Sequence, residues 1–553
     1  MSNLAIIGGV AAGTRVAAKV RREAPDMNIT IITDENYISY AGCGTPYYIG
    51  DIIKDKNTLI LRTPEAFEMD NIKVLTNRRV LKIDPNKKSI IYKELDGEKD
   101  KTLSYDKLVL ATGAKPIVPP IPGIDLKNIF VLRSINDAFI IKEAIHNEGV
   151  DSTCIIGGGL IGLEMAENLS SRGIRVTVVE KLPQILNNLD PEMANIVEKH
   201  LKEIGIEVFT GEGVISFSGT NGKVSKVLTE KRTISTDMVI LSIGIRPNVE
   251  LAKEAGIGIG TTGAISVNER METDIDDIYA VGDCTETIHI VTQKPVWIPL
   301  GTTANKQARV AAINIAGGDD RFPGVVGSMI VKVGKLNIAK TGIIEREAKE
   351  YGYNYEIVLV PANDKAHYYP GRREIMVKLI AERESGKLLG GEIVGEGASD
   401  KRIDILATAI TGELTCDQLS KLDLAYAPPY SPVLDPIIVA ANVMRNKLER
   451  RTIGISPELV ANKLKNGEDF TLIDCRTKSE FDGGFIENAK LIPLSQIKDR
   501  KGEIEKDKET VVYCLAGLRS AKGMRILRNS GFNNVKYMDG GLKGWRFGIK
   551  KPE

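Results

Sequence analysis

Short apolar runs that break into glycine dominate the first half of the chain. Leu4-Ala-Ile-Ile7 runs into Gly8, Gly9 and Gly13 within a small-residue stretch. That pattern predicts a buried strand, a glycine turn and the start of a helix. A second strand is predicted over 29–33, closed by Asp34. The same grammar returns at Cys154-Ile-Ile-Gly157, where Gly157, Gly159 and Gly162 complete G-x-G-x-x-G and Val176 to Val179 leads into Glu180. Two more runs end in Thr112-Gly113 and in Gly244, and Ile278-Tyr-Ala-Val281 leads into Gly282-Asp283. Beyond residue 324 the pattern changes to short strands (328–333, 356–360, 375–380) and a helical stretch over 401–411. Residues 445–451 read as a charged linker, Ser456-Pro457 as a helix cap with proline in the first turn, and 470–474 and 510–513 as strands again.

The glycines carry the first chemistry. A glycine turn between strand and helix lets the backbone approach a pyrophosphate, and the helix N-terminus supplies unpaired N–H groups. Asp34 and Glu180 end the second strand of each unit, where an acid accepts hydrogen bonds from a ribose. The first loop departs from the motif, with Val10 at its second glycine position. Glu180 favours NADH by repelling a 2′-phosphate, while the adjacent Lys181 keeps NADPH open.

Bulk composition narrows the class. At 553 residues the chain is long enough for roughly three to five domains. Its formal net charge of +1 gives no electrostatic case for a nucleic-acid partner. The chain enters a strand directly, without a basic leader, and no apolar run approaches the roughly 18 residues that span a bilayer. A cytoplasmic enzyme without a membrane partner is expected. The six cysteines lack Cys-x2-Cys spacing and there are four histidines, so no metal site is expected.

In this order the motifs resemble the pyridine nucleotide–disulfide oxidoreductases over roughly residues 1 to 445. The resemblance implies an α/β fold with two nested dinucleotide-binding domains. FAD would bind a domain made of 1–115 and 245–320, with Gly282-Asp283 at its ribityl–phosphate region, and NAD(P)H a domain over 116–244. An α+β dimerisation domain over 321–447 would make a homodimer. The remainder, 452–553, resembles a C-terminal α/β rhodanese domain: Asp474-Cys-Arg476, Cys514 to Arg519 and the ending Asp539-Gly-Gly-Leu-Lys-Gly-Trp545 carry that likeness.

Two thiols then acquire roles. Glutathione-reductase relatives carry a second cysteine in Cys-x4-Cys spacing, but that position after Cys43 is Tyr48. Cys43 would therefore be a single-cysteine redox centre beside the flavin, its pKa lowered by the helix start at Gly44-Thr45-Pro46. Cys514 sits between a strand and a helix, where N–H groups and Arg519 would cradle a thiolate or persulfide. Its Cys-x4-Arg loop is one residue shorter than that of cysteine phosphatases, which favours sulfur over phosphate. Phe485 stands where many rhodaneses have histidine, a change that bears on substrate preference.

The segment around Cys43 resembles that of coenzyme A–disulfide reductases. The likeness implies an enzyme that cleaves coenzyme A persulfide, coenzyme A disulfide or polysulfide with NADH, releasing thiol and hydrogen sulfide. Lys19, Arg22 and Arg62 would bind the phosphates of coenzyme A, and Tyr368 and Tyr426 of the partner subunit would assist Cys43. The alternative is an NADH oxidase or peroxidase cycling Cys43 through a sulfenic acid. Against it stands the first glycine loop, Gly9-Val-Ala-Ala-Gly13, which lacks the histidine of such relatives.

Overall fold

The computed structural model describes residues 2–97, 99–147 and 149–552. These form two compact units, one of Met1–Ile185 with Gly205–Val325 and one of Leu186–Ile204 with Val326–Glu553.

The first unit holds two parallel sheets. One runs Ile278–Ala280, Lys107–Leu110, Asn3–Ile7, Asn28–Ile32, Ile72–Leu75 in spatial order. Its strands read as continuous apolar runs because both faces are covered. Leu4 and Ile6 pack with Val16 and Val20 of the helix Ala12–Glu23, while Ala5 and Ile7 pack on Val80, Ile83 and Leu110. The second sheet repeats the order with Glu207–Thr210, Arg175–Glu180, Ser152–Ile156, Met238–Leu241 and Ile129–Val131. In both, the strand that feeds the glycine loop lies inside the sheet and its helix starts at the carboxyl edge, the arrangement that opens a ligand crevice.

The second unit contains an antiparallel sheet ordered Met329–Val333, Leu336–Gly342, Leu388–Gly395, Glu374–Glu382, Tyr355–Asn363. The three expected strands are present. Leu336–Gly342 and Leu388–Gly395 are additional; the latter carries Gly390 and Gly391, which mask a strand pattern. The helix Pro191–Glu203, from within the 116–244 segment, belongs to this unit. Lys378, fully buried, reaches Asp190, Glu192 and Glu345 at 2.8, 2.5 and 2.7 Å.

A parallel sheet ordered Gly454–Ile455, Val535–Met538, Thr510–Tyr513, Thr471–Asp474, Lys490–Leu491 completes the chain. The expected cap is present: Ser456 accepts from the Leu459 N–H at 3.3 Å and Pro457 opens the helix Pro457–Lys465. The charged linker expected over 445–451 is corrected by the structure. Its first half ends the helix Pro436–Leu448, and Lys447 is buried, bonded to Asp539 at 3.0 Å, to Glu356 at 2.8 Å and to the Ile357 carbonyl at 2.6 Å. Only a side chain that satisfies several acceptors at once is worth burying as a cation. Among the described residues no helix is long and apolar enough to cross a membrane.

Candidate functional site

Close backbone packing explains most of the loop glycines. Gly8 has φ +113°, and a Cβ there would lie 2.1 Å from the Ala111 carbonyl oxygen; one on Gly13 would lie 2.0 Å from the Gly8 oxygen. A Cβ on Gly9 would lie 2.9 Å from Ile38. Gly157 and Gly162 repeat the arrangement, with approaches of 2.2 Å to the Ser242 and Gly157 oxygens. Gly159 differs. No protein atom lies within 4 Å of its would-be Cβ, so the N-terminus of the helix Leu160–Ser170 is open to a pyrophosphate. Glu180 accepts from the N–H groups of Gly158 at 2.7 Å and Leu182 at 2.8 Å, which fixes its carboxylate beside that loop. Asp34 is exposed and pairs with Arg79 at 3.3 Å.

The carboxyl edge of the first sheet gathers the other cofactor-type residues. Thr112-Gly113 and Gly282-Asp283 follow adjacent strands, and a Cβ on Gly282 would lie 3.1 Å from Ala12 at the start of the first helix. Thr112 and Asn248 exchange hydrogen bonds at 2.7 and 2.8 Å. Asp283 pairs with Arg133 at 3.0 Å. These open glycine loops and convergent strand ends fit two dinucleotides.

Cys43 is exposed, in the 3-10 turn Gly42–Gly44 that precedes the helix Thr45–Ile49. The expected lowering of its pKa is corrected. Although the residue is exposed, partial desolvation by its neighbours pushes the thiol up, the carboxylates of Glu164 and Asp283 add to that, and Arg133 opposes. A five-residue helix beginning after the thiol offers too little dipole to outweigh two carboxylates. Glu164, one turn into the second glycine-loop helix, was not singled out from the sequence. It accepts from the Tyr47 hydroxyl at 3.2 Å, and burial raises its own pKa.

The three cations are placed differently. Lys19 pairs with Glu23 one turn along its helix. Arg62 lies over the Phe67 ring at 4.0 Å and bonds the Ala66 carbonyl at 2.5 Å and Asp70 at 2.6 Å. Arg22 is exposed. In the second unit Tyr368 and Tyr426 come together from segments 58 residues apart, with hydroxyls 3.5 Å apart and both rings exposed.

Cys514 ends its strand at the head of a loop. The Gly517 N–H reaches its sulfur at 3.1 Å and the Ser520 hydroxyl at 3.6 Å. Its pKa is pushed down to about 5, first by a hydrogen bond from the Cys475 thiol, then by Ser520 and the N–H groups of Ser520 and Ala516. The loop N–H groups act as expected; Cys475 was missed because it lies on another strand. Arg519 does not close over the sulfur. Both its terminal nitrogens bond Glu480, at 2.6 and 2.7 Å, and this pairing holds the Glu480 carboxyl down at about 2. Phe485 stacks on Phe481 with ring centres 4.2 Å apart.

The described geometry agrees with three family models: pyridine nucleotide-disulphide oxidoreductase over residues 2–308, the dimerisation domain of that family over 329–436, and a rhodanese-like domain over 456–547. A Methanocaldococcus jannaschii protein named NADH oxidase is 41% identical over 81% of this chain and 99% of its own. A Pyrococcus abyssi protein named NAD(P)H sulfur oxidoreductase (CoA-dependent) is 39% identical over 80% of this chain and 97% of its own. The solved NAD-dependent persulfide reductase from A. fulgidus superposes with a TM-score of 0.91 at 41% identity, covering 98% of this chain and all of that one. With the first model alone matching more than half of its length, the chain belongs to the pyridine nucleotide-disulphide oxidoreductase family.

Proposed function

We propose that this oxidoreductase uses NAD(P)H and FAD to cleave sulfur–sulfur bonds of coenzyme A persulfide, coenzyme A disulfide or polysulfide, in the cytoplasm and as a homodimer. The observation that carries the reading is that Cys43 is the one exposed thiol among six free cysteines. With no second cysteine beside it, the sulfur it bonds comes from the substrate. When bound, the two dinucleotides supply a hydride and a two-electron relay. Gly8, Gly9, Gly13, Asp34, Thr112, Gly113, Gly282 and Asp283 hold FAD, and Gly157, Gly159, Gly162 and Glu180 hold the nicotinamide dinucleotide. Cys43 Sγ attacks one sulfur of the substrate's S–S bond, that bond breaks, and the mixed disulfide forms as the other sulfur leaves as thiolate or hydrosulfide. Tyr47 and Glu164 hold a proton beside it. Lys19, Arg22 and Arg62 receive the phosphates of coenzyme A, and Tyr368 and Tyr426 of one protomer serve Cys43 of its partner. Cys514 accepts sulfane sulfur, with Arg519 contributing positive charge from its pair with Glu480.

The Pyrococcus and A. fulgidus relatives support this reading by their names. The M. jannaschii relative supports the second one, oxygen reduction through a Cys43 sulfenic acid. Steady-state turnover separates the two. Coenzyme A persulfide, coenzyme A disulfide, polysulfide and oxygen are compared as acceptors with NADH and with NADPH, for the native enzyme and for Cys43→Ser. Sulfur acceptors should dominate, and their reduction should vanish in the variant while bound flavin is retained. Faster turnover with oxygen, or sulfur reduction that survives Cys43→Ser, would overturn the proposal.

A further inference from the structure

The strands Thr471–Asp474 and Thr510–Tyr513 are parallel neighbours with Ile473 opposite Val512 and Asp474 opposite Tyr513. The Cys475 N–H donates to the Tyr513 carbonyl at 2.9 Å, which carries the ladder one residue beyond that register and sets Cys475 beside Cys514. Side chains alternate across a sheet. Ile473, Cys475, Val512 and Cys514 line one face, whereas Leu472, Val511 and Tyr513 line the other. The two thiols therefore point the same way from adjacent chains. Neighbouring strands lie about 4.8 Å apart, inside the roughly 4.4–6.8 Å Cα window of a disulfide. Both are buried at 1% exposure; of the other three buried thiols, Cys154 and Cys284 sit in separate clusters and Cys416 begins the helix Cys416–Leu419.

We infer that Cys475 is a resolving thiol for Cys514, converting a Cys514 persulfide into a Cys475–Cys514 disulfide with release of hydrosulfide. The inference rests on the reading of Cys514 as the sulfur acceptor. In the step, Cys475 Sγ attacks Cys514 Sγ. The new Sγ–Sγ bond forms, the bond from Cys514 Sγ to the outer sulfur breaks, and the outer sulfur leaves with the electron pair and the Cys475 proton. The sulfane sulfur is reduced to sulfide, and two thiols are oxidised to one disulfide. Two equivalents of a low-molecular-weight thiol restore the dithiol and leave as their own disulfide, the class of compound the Cys43 half is proposed to reduce. The neighbouring Cys514 sulfur and burial hold Cys475 as the neutral thiol, so its proton is at hand for the departing sulfur as Sγ attacks.

The test treats the full-length enzyme and its Cys475→Ser variant, both without nicotinamide, with inorganic polysulfide. Peptides blocked in acid are then mapped by mass, and hydrosulfide is assayed. The native chain should lose two hydrogen atoms, yield a Cys475–Cys514 cross-linked peptide and release hydrosulfide stoichiometrically. The variant should keep one added sulfur atom at Cys514. A native chain that keeps the added sulfur as stably as the variant, with no cross-link, overturns the resolving role while leaving the sulfur acceptor intact. Absence of added sulfur from Cys514 in the variant overturns the acceptor reading and the inference with it.

Discussion

Tyr47 donates its hydroxyl to Glu164 at 3.2 Å, joining the helix after Cys43 to the helix that opens the second glycine loop. Burial raises the pKa of both, the Tyr47 phenol to about 12 with Glu164 adding to it. The same carboxylate raises Cys43. The proposed thiol thus faces a Tyr47–Glu164 pair whose carboxylate raises its pKa, with Arg133 opposing.

Glu164→Gln should therefore make Cys43 more acidic, since a neighbouring negative charge is removed while the shape is kept. The expected shift of the midpoint is downward. The measurement is the pH profile of Cys43 alkylation, followed by peptide mass. An unchanged or upward-shifted midpoint would contradict the placement of Glu164.

Gly13→Ala and Gly159→Ala should part company. A Cβ at Gly13 meets the Gly8 carbonyl oxygen at 2.0 Å, backbone that cannot swing aside, so flavin retention and thermal stability should both fall. At Gly159 a Cβ meets no protein atom within 4 Å. That variant should melt with the native enzyme and retain flavin, yet show a raised KM for the nicotinamide dinucleotide. Equal melting losses in the two variants would remove the case for Gly159 as the open edge of the cradle.

What the sequence made legible follows from the range of the interactions. The glycine loops, the strand-ending acids and the Ser456 cap are local, because each is dictated by neighbours a few residues away or by a repeated backbone approach. Tyr47 and Glu164 are 117 residues apart, and Lys447 and Asp539 are 92 apart. No periodicity announces such pairs. Lys447 sits in a run of charges, Arg445-Asn-Lys-Leu-Glu-Arg-Arg451, that locally resembles a solvated tether. Burial and the two carboxylates that meet it turn that run into an anchor. Cys475 is hidden in the same way, because Asp474-Cys-Arg476 reads as one motif until the strand register sets Cys475 beside Cys514.

Lys447→Met tests the anchor. It leaves the buried Asp539 carboxyl without its cation, while Glu356 keeps Arg383 at 2.8 Å; breaking a buried pair in this way typically costs about 3–5 kcal/mol. Limited proteolysis should then cut near 449–453, and the C-terminal part should melt as a separate, earlier transition. Resistance to protease equal to the native enzyme would show that the anchor contributes little.

The two proposed thiols should titrate in opposite directions. Cys514 is held down to about 5, so its thiolate fraction is full above that value and lost as pH falls through it. Cys43 is raised above the ordinary thiol value, so its thiolate fraction grows only as pH climbs beyond the usual range. Alkylation measured peptide by peptide, with each rate normalised to its own plateau, should therefore be flat for Cys514 from pH 8 to 6, at least roughly one unit above its midpoint, and still rising for Cys43. The first cause of the Cys514 shift is the Cys475 thiol. Cys475→Ala, which has no donor, should raise the Cys514 midpoint by roughly one to two units, whereas Cys475→Ser, whose hydroxyl still donates, should keep it low. A Cys514 profile that matches that of Cys43 would contradict the stabilised thiolate, and one that is indifferent to Cys475→Ala would mean that Ser520 and the loop N–H groups set the charge of this sulfur without Cys475.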